Sequence, residues 1–123
     1  MAETKGHRIT DCRNLIAWQK AMELVIVVYA LTDQFPKSEQ YGLSSQMQRS
    51  AVSIPSNIAE GHKRFTQKDT RHFLILAYSS GAELETQIEI ARRLSYLLDG
   101  KHSKAVALLD EVMRILYAMI KSL

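Results

Sequence analysis

Apolar residues recur three and four positions apart along most of this chain, the spacing that lines one face of an α-helix. In the first stretch Leu15, Trp18, Met22, Val25, Tyr29 and Thr32 keep that rhythm. Asn14 stands where a side chain can accept from the free amides of a first turn, and Phe35-Pro36 supplies a stop. The predicted helix therefore begins at Asn14, which leaves residues 1–13 as an N-terminal extension and residues 14–123 as a single domain.

A second segment opens near Ser44, a capping residue type, and steps through Met47, Ala51, Ile54 and Ile58 to Gly61. Pro55 interrupts it chemically, because proline has no N–H and its ring presses on the carbonyl of Ala51. The apolar face nevertheless stays in phase across Pro55, so the pattern predicts one kinked helix rather than two. Ser53 and Asn57 are placed to satisfy the carbonyl that the proline leaves free. Gly61 is expected to end the helix as a left-handed cap.

Thr66-Gln67-Lys68-Asp69 resembles a capping box with aspartate in place of glutamate. Leu74, Ala77, Gly81, Leu84, Ile88, Ala91 and Ser95 then form a third seam, predicted to run from Thr66 to about Leu98, with Asp99-Gly100 closing it. The last helix, from about Ser103, is expected to bury Ala105, Leu109, Val112, Leu116, Met119 and Leu123. Four amphipathic helices with short connections predict an all-α fold, an antiparallel up-down four-helix bundle with a proline-kinked second helix.

The run LVIVVYAL, Leu24 to Leu31, is apolar on every side, and Leu108 and Ile115 lie outside the main stripe of the fourth helix. That run is too short to span a bilayer. The surplus instead predicts self-association through the first and fourth helices with closed symmetry. The single cysteine, Cys12, rules out an internal disulfide and suits a reducing cytoplasm. MAETKGHRITDCRN has neither the apolar core of a secretory signal nor the acid-poor composition of a transit peptide, so a cytoplasmic location is expected.

Catalytic chemistry has little to stand on. The paired Glu-x-x-His pattern of di-metal bundles does not occur, and the single Asp69-x-x-His72 is better read as capping at a helix start. His7, His62, His72 and His102 fall in or near expected loops and helix ends, where solvation is the default. No phosphate-cradling glycine loop, nucleophile elbow or metalloprotease helix is present. The expectation is a protein with no catalytic residues, no metal and no cofactor. Glu85 and Glu89, four apart, read as a solvated face. Glu83 sits at the seam's edge and is predicted to be partly buried, paired with Arg49 or Arg64.

Net charge is +3 and the sequence pI about 9.1. Positive residues gather twice: Lys63, Arg64, Lys68 and Arg71 beside His62, and Arg92, Arg93, Lys101 and Lys104 around the far end of the third helix. These eight are the candidate nucleic-acid contacts, acting on the backbone rather than on base edges.

Three stretches carry a family resemblance: LIAWQKAMEL (Leu15 to Leu24), YGLSSQMQRSAVSIPSNIAEGHKR (Tyr41 to Arg64) and AELETQIEIARRL (Ala82 to Leu94). Together they resemble the bacterial four-helix-bundle family whose first-described members are encoded within intervening sequences of large-subunit ribosomal RNA genes, often labelled ribosomal-protein-like. The resemblance covers nearly the whole chain after Arg13. Its motif positions here are Gln46, Arg49, Ser53, Pro55, Asn57, Glu60, Gly61, Arg64, Glu83 and Leu84, and Ser79 stands where many relatives are expected to have glycine. The resemblance implies a cytoplasmic homopentamer without enzymatic activity. It also implies kinship with a basic pentameric accessory protein of diversity-generating retroelements, which works with a reverse transcriptase and nucleic acid.

The functional expectation is a non-catalytic homo-oligomer associated with RNA or DNA, a scaffold or accessory factor that does not engage membranes. The alternative is a protein–protein adaptor with no nucleic-acid role.

Overall fold

The computed structural model describes the backbone of residues 2–123 and side chains from Arg13 onward, so His7 and Cys12 lie outside the described side chains. Its elements are α1 (Ala2–Thr32), α2 (Leu43–His62), α3 (Gln67–Arg93) and α4 (Ser103–Ser122), with a 3₁₀ turn at Lys37–Glu39. Each helix packs on two others, in the cycle α1–α2–α3–α4 and back to α1. Cross-helix partners pair early positions with late ones. Asn14 meets His62 and Thr32 meets Gln48 between α1 and α2; Ser53 meets Ser80 between α2 and α3; Arg71 reaches Ile120 between α3 and α4. Neighbouring helices therefore run in opposite directions around one core. The chain folds as an all-α four-helix bundle.

Helix α1 departs from the expected phase. Its buried positions among the described residues are Asn14, Ala17, Ala21, Leu24, Val28, Leu31 and Thr32, mostly one step away from the stripe of larger residues. Small side chains at 17 and 21 let α1 approach its neighbours closely. Leu15, Trp18, Met22 and Tyr29 are left on the outside, joined by Ile26, which is 68% exposed. Because α1 begins at Ala2, Asn14 is no N-cap but an interior residue whose Nδ2 lies 3.2 Å from His62 Nδ1. Residues 2–13 thus continue α1 as helix.

Helix α2 continues through Pro55 without interruption. Ser56 Oγ donates to the Val52 carbonyl at 2.8 Å, and Asn57 Nδ2 donates to the Ser53 carbonyl at 2.9 Å. Both donors serve carbonyls just past Ala51, extra bonding in the turn the proline weakens. Ser44 is not the cap of α2. Glu39 reaches back from the 3₁₀ turn, and its Oε1 accepts from the Leu43 amide at 3.1 Å. That bond first, then the Tyr96 hydroxyl on Oε2, holds the Glu39 carboxyl below its usual range. Gly61 is likewise not a left-handed cap, since it lies inside α2 and only Gly100 among the described glycines has positive φ. Its value is closeness. The Thr70 hydroxyl of α3 donates to its carbonyl at 2.9 Å, a buried bond.

Helix α3 starts as expected, with Thr66 Oγ1 accepting from the Asp69 amide at 3.1 Å. It ends at Arg93, earlier than the sequence suggested. Ser95 takes φ 62°, the Tyr96 amide returns to the Ala91 carbonyl at 3.0 Å and the Ser95 amide to that of Arg92 at 3.0 Å. That is a Schellman ending with serine where glycine usually stands. Its 27 residues span about 40 Å. Ser79 is exposed, so the missing glycine there faces solvent, and the close approach falls at Gly81 against Met113. In α4, Leu108 belongs to the core, and Leu123 only packs against its margin.

Candidate nucleic-acid interface

The bundle brings one basic group together and neutralises the other. The α2–α3 turn lies at the same end as Arg13 of α1 and the last turn of α4. Asn14 touches His62, Arg13 NH1 lies 3.5 Å from Ser122 Oγ, and Arg71 Nε donates to the Ile120 carbonyl at 3.3 Å. Lys63, Arg64, Lys68 and Arg71 are thereby joined by Arg13 and Lys121, two cations that sequence reasoning missed because only the closed bundle puts chain ends beside the turn. Glu60 and Asp69 are the acidic residues of this turn, and Glu60 is taken by Arg64 at 2.6 Å. Arg64 also lies over the Phe73 ring, 4.5 Å from its centroid, which fixes its guanidinium at the surface. Lys63 and Lys68 are exposed and form no ion pair with another described residue. Between them Phe65 stands 86% exposed, an aromatic amid cations.

The other end is different in kind. Arg92 and Arg93 both close on Glu89, at 2.7 and 2.8 Å, and their hydrogen bonds push its carboxyl down to about 2. Lys104 Nζ lies 3.9 Å from Glu23 across the α1–α4 contact. Only Lys101 of this group is without an ion pair to a described residue. Asp33, Glu39 and Asp99 sit on the same connections. The two expected basic clusters are thus one positive end and one that is largely self-paired.

The remaining motif residues split between structure and surface. Pro55 and Gly61 are buried in α2, Asn57 holds the Ser53 carbonyl and Glu60 holds Arg64. Gln46, Arg49, Ser53 and Glu83, from two separate stretches of sequence, line one polar crevice of about 270 Å³ between α2 and α3, with Ser80 and Gln87. The Ser53 and Ser80 hydroxyls lie 2.8 Å apart there. Glu83 corrects an expectation: it is exposed and pairs with neither Arg49 nor Arg64. Arg64 lies past the end of α2, well along the seam from Glu83, and finds Glu60 one turn away instead.

The histidines also differ from one another. His72 stacks edge-on against Phe73, and His102 is half-buried with Nδ1 out of water and without a hydrogen bond. Among the described residues no group of three or more His, Cys, Asp or Glu is placed to hold a metal ion. The segment Arg13–Thr32 has the length and mean hydropathy, 1.5, of a helix able to cross a membrane. In the bundle its inner face is core, and Lys20 reaches Glu111 at 2.9 Å.

Comparison with known proteins agrees with this architecture. A solved structure of a protein of unknown function from the S23 ribosomal protein family of Bacteroides thetaiotaomicron superposes with a TM-score of 0.81 at 22% identity, covering 89% of this chain and 98% of that one. At that identity it establishes the fold alone. No curated protein matches the chain. The family model described as 23S rRNA-intervening sequence protein matches residues 13–118, nearly the whole bundle. The chain belongs to the 23S rRNA-intervening sequence protein family.

Proposed function

We propose that this chain is a non-catalytic cytoplasmic homo-oligomer that associates with the phosphate backbone of RNA or DNA as a scaffold or accessory factor. The observation that carries this reading is the inequality of the two ends: Arg13, Lys63, Arg64, Lys68, Arg71 and Lys121 gather where, among the described residues, only Glu60 and Asp69 oppose them. Lysine and arginine on phosphate displace condensed counterions, which supplies affinity without sequence readout. Self-assembly is supported by the outward stripe Leu15, Trp18, Met22, Ile26 and Tyr29 on α1, continued by Val52 on α2. A ring of five, as the family resemblance implies, would repeat the basic end around its rim and turn an isolated patch into a band.

The test is binding of a structured RNA and of duplex DNA over a range of salt, with the native chain and a K63Q/R64Q/K68Q/R71Q variant. Affinity is expected to fall steeply with salt and at least tenfold in the variant. Binding indifferent to both salt and those four charges would refute the reading. Recovery of one protein partner after nuclease treatment, with no nucleic-acid binding, would put the adaptor reading in its place.

A further inference from the structure

We propose that the α2–α3 crevice binds a small zwitterion of the free α-amino-acid class, its carboxylate toward Arg49 and its ammonium toward Glu83. The antiparallel contact sets the register. Ser53 faces Ser80 with hydroxyls 2.8 Å apart, so by the same count Ser50 faces Glu83 and Gln46 faces Gln87. From Ser53 to Gln46 the slot runs two helical turns, about 10 Å.

Its charges are unspent. Glu60, Glu89 and Asp110 each take an arginine three or four residues further along the chain within 2.6 to 2.8 Å, whereas Arg49 and Glu83 form no ion pair with any described residue although they flank one cavity. A second observation points the same way. Gln87 is only 8% exposed, and its buried Oε1 has no hydrogen-bond partner. Buried amides are nearly always satisfied, so Gln87, a lining residue of the crevice, has an acceptor that nothing inside the bundle meets.

The lining also selects among ligands. The crevice has no aromatic platform, which single nucleobases require for stacking, and no wall of large aliphatic side chains for an apolar guest. Its volume of about 270 Å³ lies below the range typical of drug-sized ligands. One cation, one anion, two amides and three serines fit a small molecule that carries both charges and a few donors.

The experiment is an NMR titration of the full, nuclease-treated chain with L-glutamine and glycine, and with acetate and methylammonium as single-charge controls. Saturable shifts are expected at the Ser53, Ser80 and Gln87 amides, with either zwitterion binding at least tenfold more tightly than either control. R49Q and E83Q are each expected to weaken binding at least tenfold and to keep the native spectrum, because both side chains are exposed and unpaired. Absence of saturable shifts at those amides, or equal response to the controls, would overturn the proposal. So would a change of oligomer mass in R49Q or E83Q without zwitterion binding, which would make the crevice a contact between copies. Nucleic-acid affinity is measured separately, so either reading can fail alone.

Discussion

Gly61 and Phe73 meet so closely across the α2–α3 seam that a Cβ on Gly61 would stand 3.1 Å from the Cβ of Phe73 and 3.2 Å from the Thr70 carbonyl oxygen. Neither neighbour is the free end of a side chain, so neither yields easily. Alanine would gain about 0.5–1 kcal/mol of helix propensity, but overpacking at a rigid contact costs about 1–3 kcal/mol. G61A is expected to be destabilising by about 1 kcal/mol in urea unfolding. G81A should behave differently, because its new methyl meets the flexible Met113 side chain, which can swing aside. A neutral or stabilising G61A would contradict the closeness assigned to this seam.

Ser95 holds φ 62° at the end of α3. A left-handed conformation costs a non-glycine residue about 1–2 kcal/mol, and glycine removes that cost at this position. S95G is expected to stabilise the chain by about 1 kcal/mol and raise the thermal midpoint by about 3–5 °C. A fall in the midpoint would mean that the Schellman ending does not govern this turn.

Both positions were read differently in the sequence, Gly61 as a left-handed cap and Ser95 as part of the α3 seam. The α2 and α3 seams were legible because their three-four spacing persists over several turns, past exposed apolar neighbours such as Val52, Ile75 and Leu76. In α1 the run Leu24 to Leu31 offers two apolar stripes, and hydrophobicity favours the one with larger residues. Packing chose Ala17 and Ala21 instead, since close helix approach rewards small side chains. Asn14 and Gly61 were read as caps by residue type, yet both lie inside helices that continue past them. The basic clusters were visible, but their inequality depends on where carboxylates point: Glu89 reaches both arginines that follow it. The crevice was invisible because its residues come together only through the antiparallel register.

Glu89 supplies a pH test. Hydrogen bonds from Arg92 and then Arg93 lower its carboxyl from 4.5 to about 2. A carboxylate depressed in the folded state contributes stability that is fully present above its unfolded value and is lost as pH falls through its folded one. The contribution should therefore fade between about pH 4.5 and about 2. A carboxyl NMR titration of Glu89 is expected to show a midpoint near the lower figure. In E89Q the acid loss of stability over that window should be shallower than in the native chain. An ordinary midpoint would show that the two arginines do not hold the carboxylate in solution.

The two basic ends should be separable by mutation. Neutralising Lys63 and Lys68, which have no ion pair with a described residue, is expected to weaken RNA or DNA binding at least fivefold and reduce its salt slope. R92Q/R93Q should change binding less than twofold, because those charges already serve Glu89. Fluorescence anisotropy with a labelled duplex measures both. Equal losses at the two ends would contradict the asymmetry.

The outward stripe of α1 makes its own demand. M22S/I26S removes exposed apolar surface, so the folded monomer is expected to lose little stability while the proposed assembly dissociates. L24A, one step around the helix, opens a fully buried site and should cost about 2–5 kcal/mol instead. Circular dichroism melts and sedimentation together distinguish the two outcomes. Trp18, the chain's single tryptophan and 38% exposed, should shift its emission to the blue on assembly.

The most direct measurement is the mass in solution by light scattering coupled to size exclusion, on protein purified at low salt, before and after nuclease treatment. The expected result is a particle carrying nucleic acid that resolves, after nuclease, into a closed oligomer of five 14.0 kDa chains. A free 14.0 kDa monomer with no bound nucleic acid at low salt would contradict both halves of the proposed function.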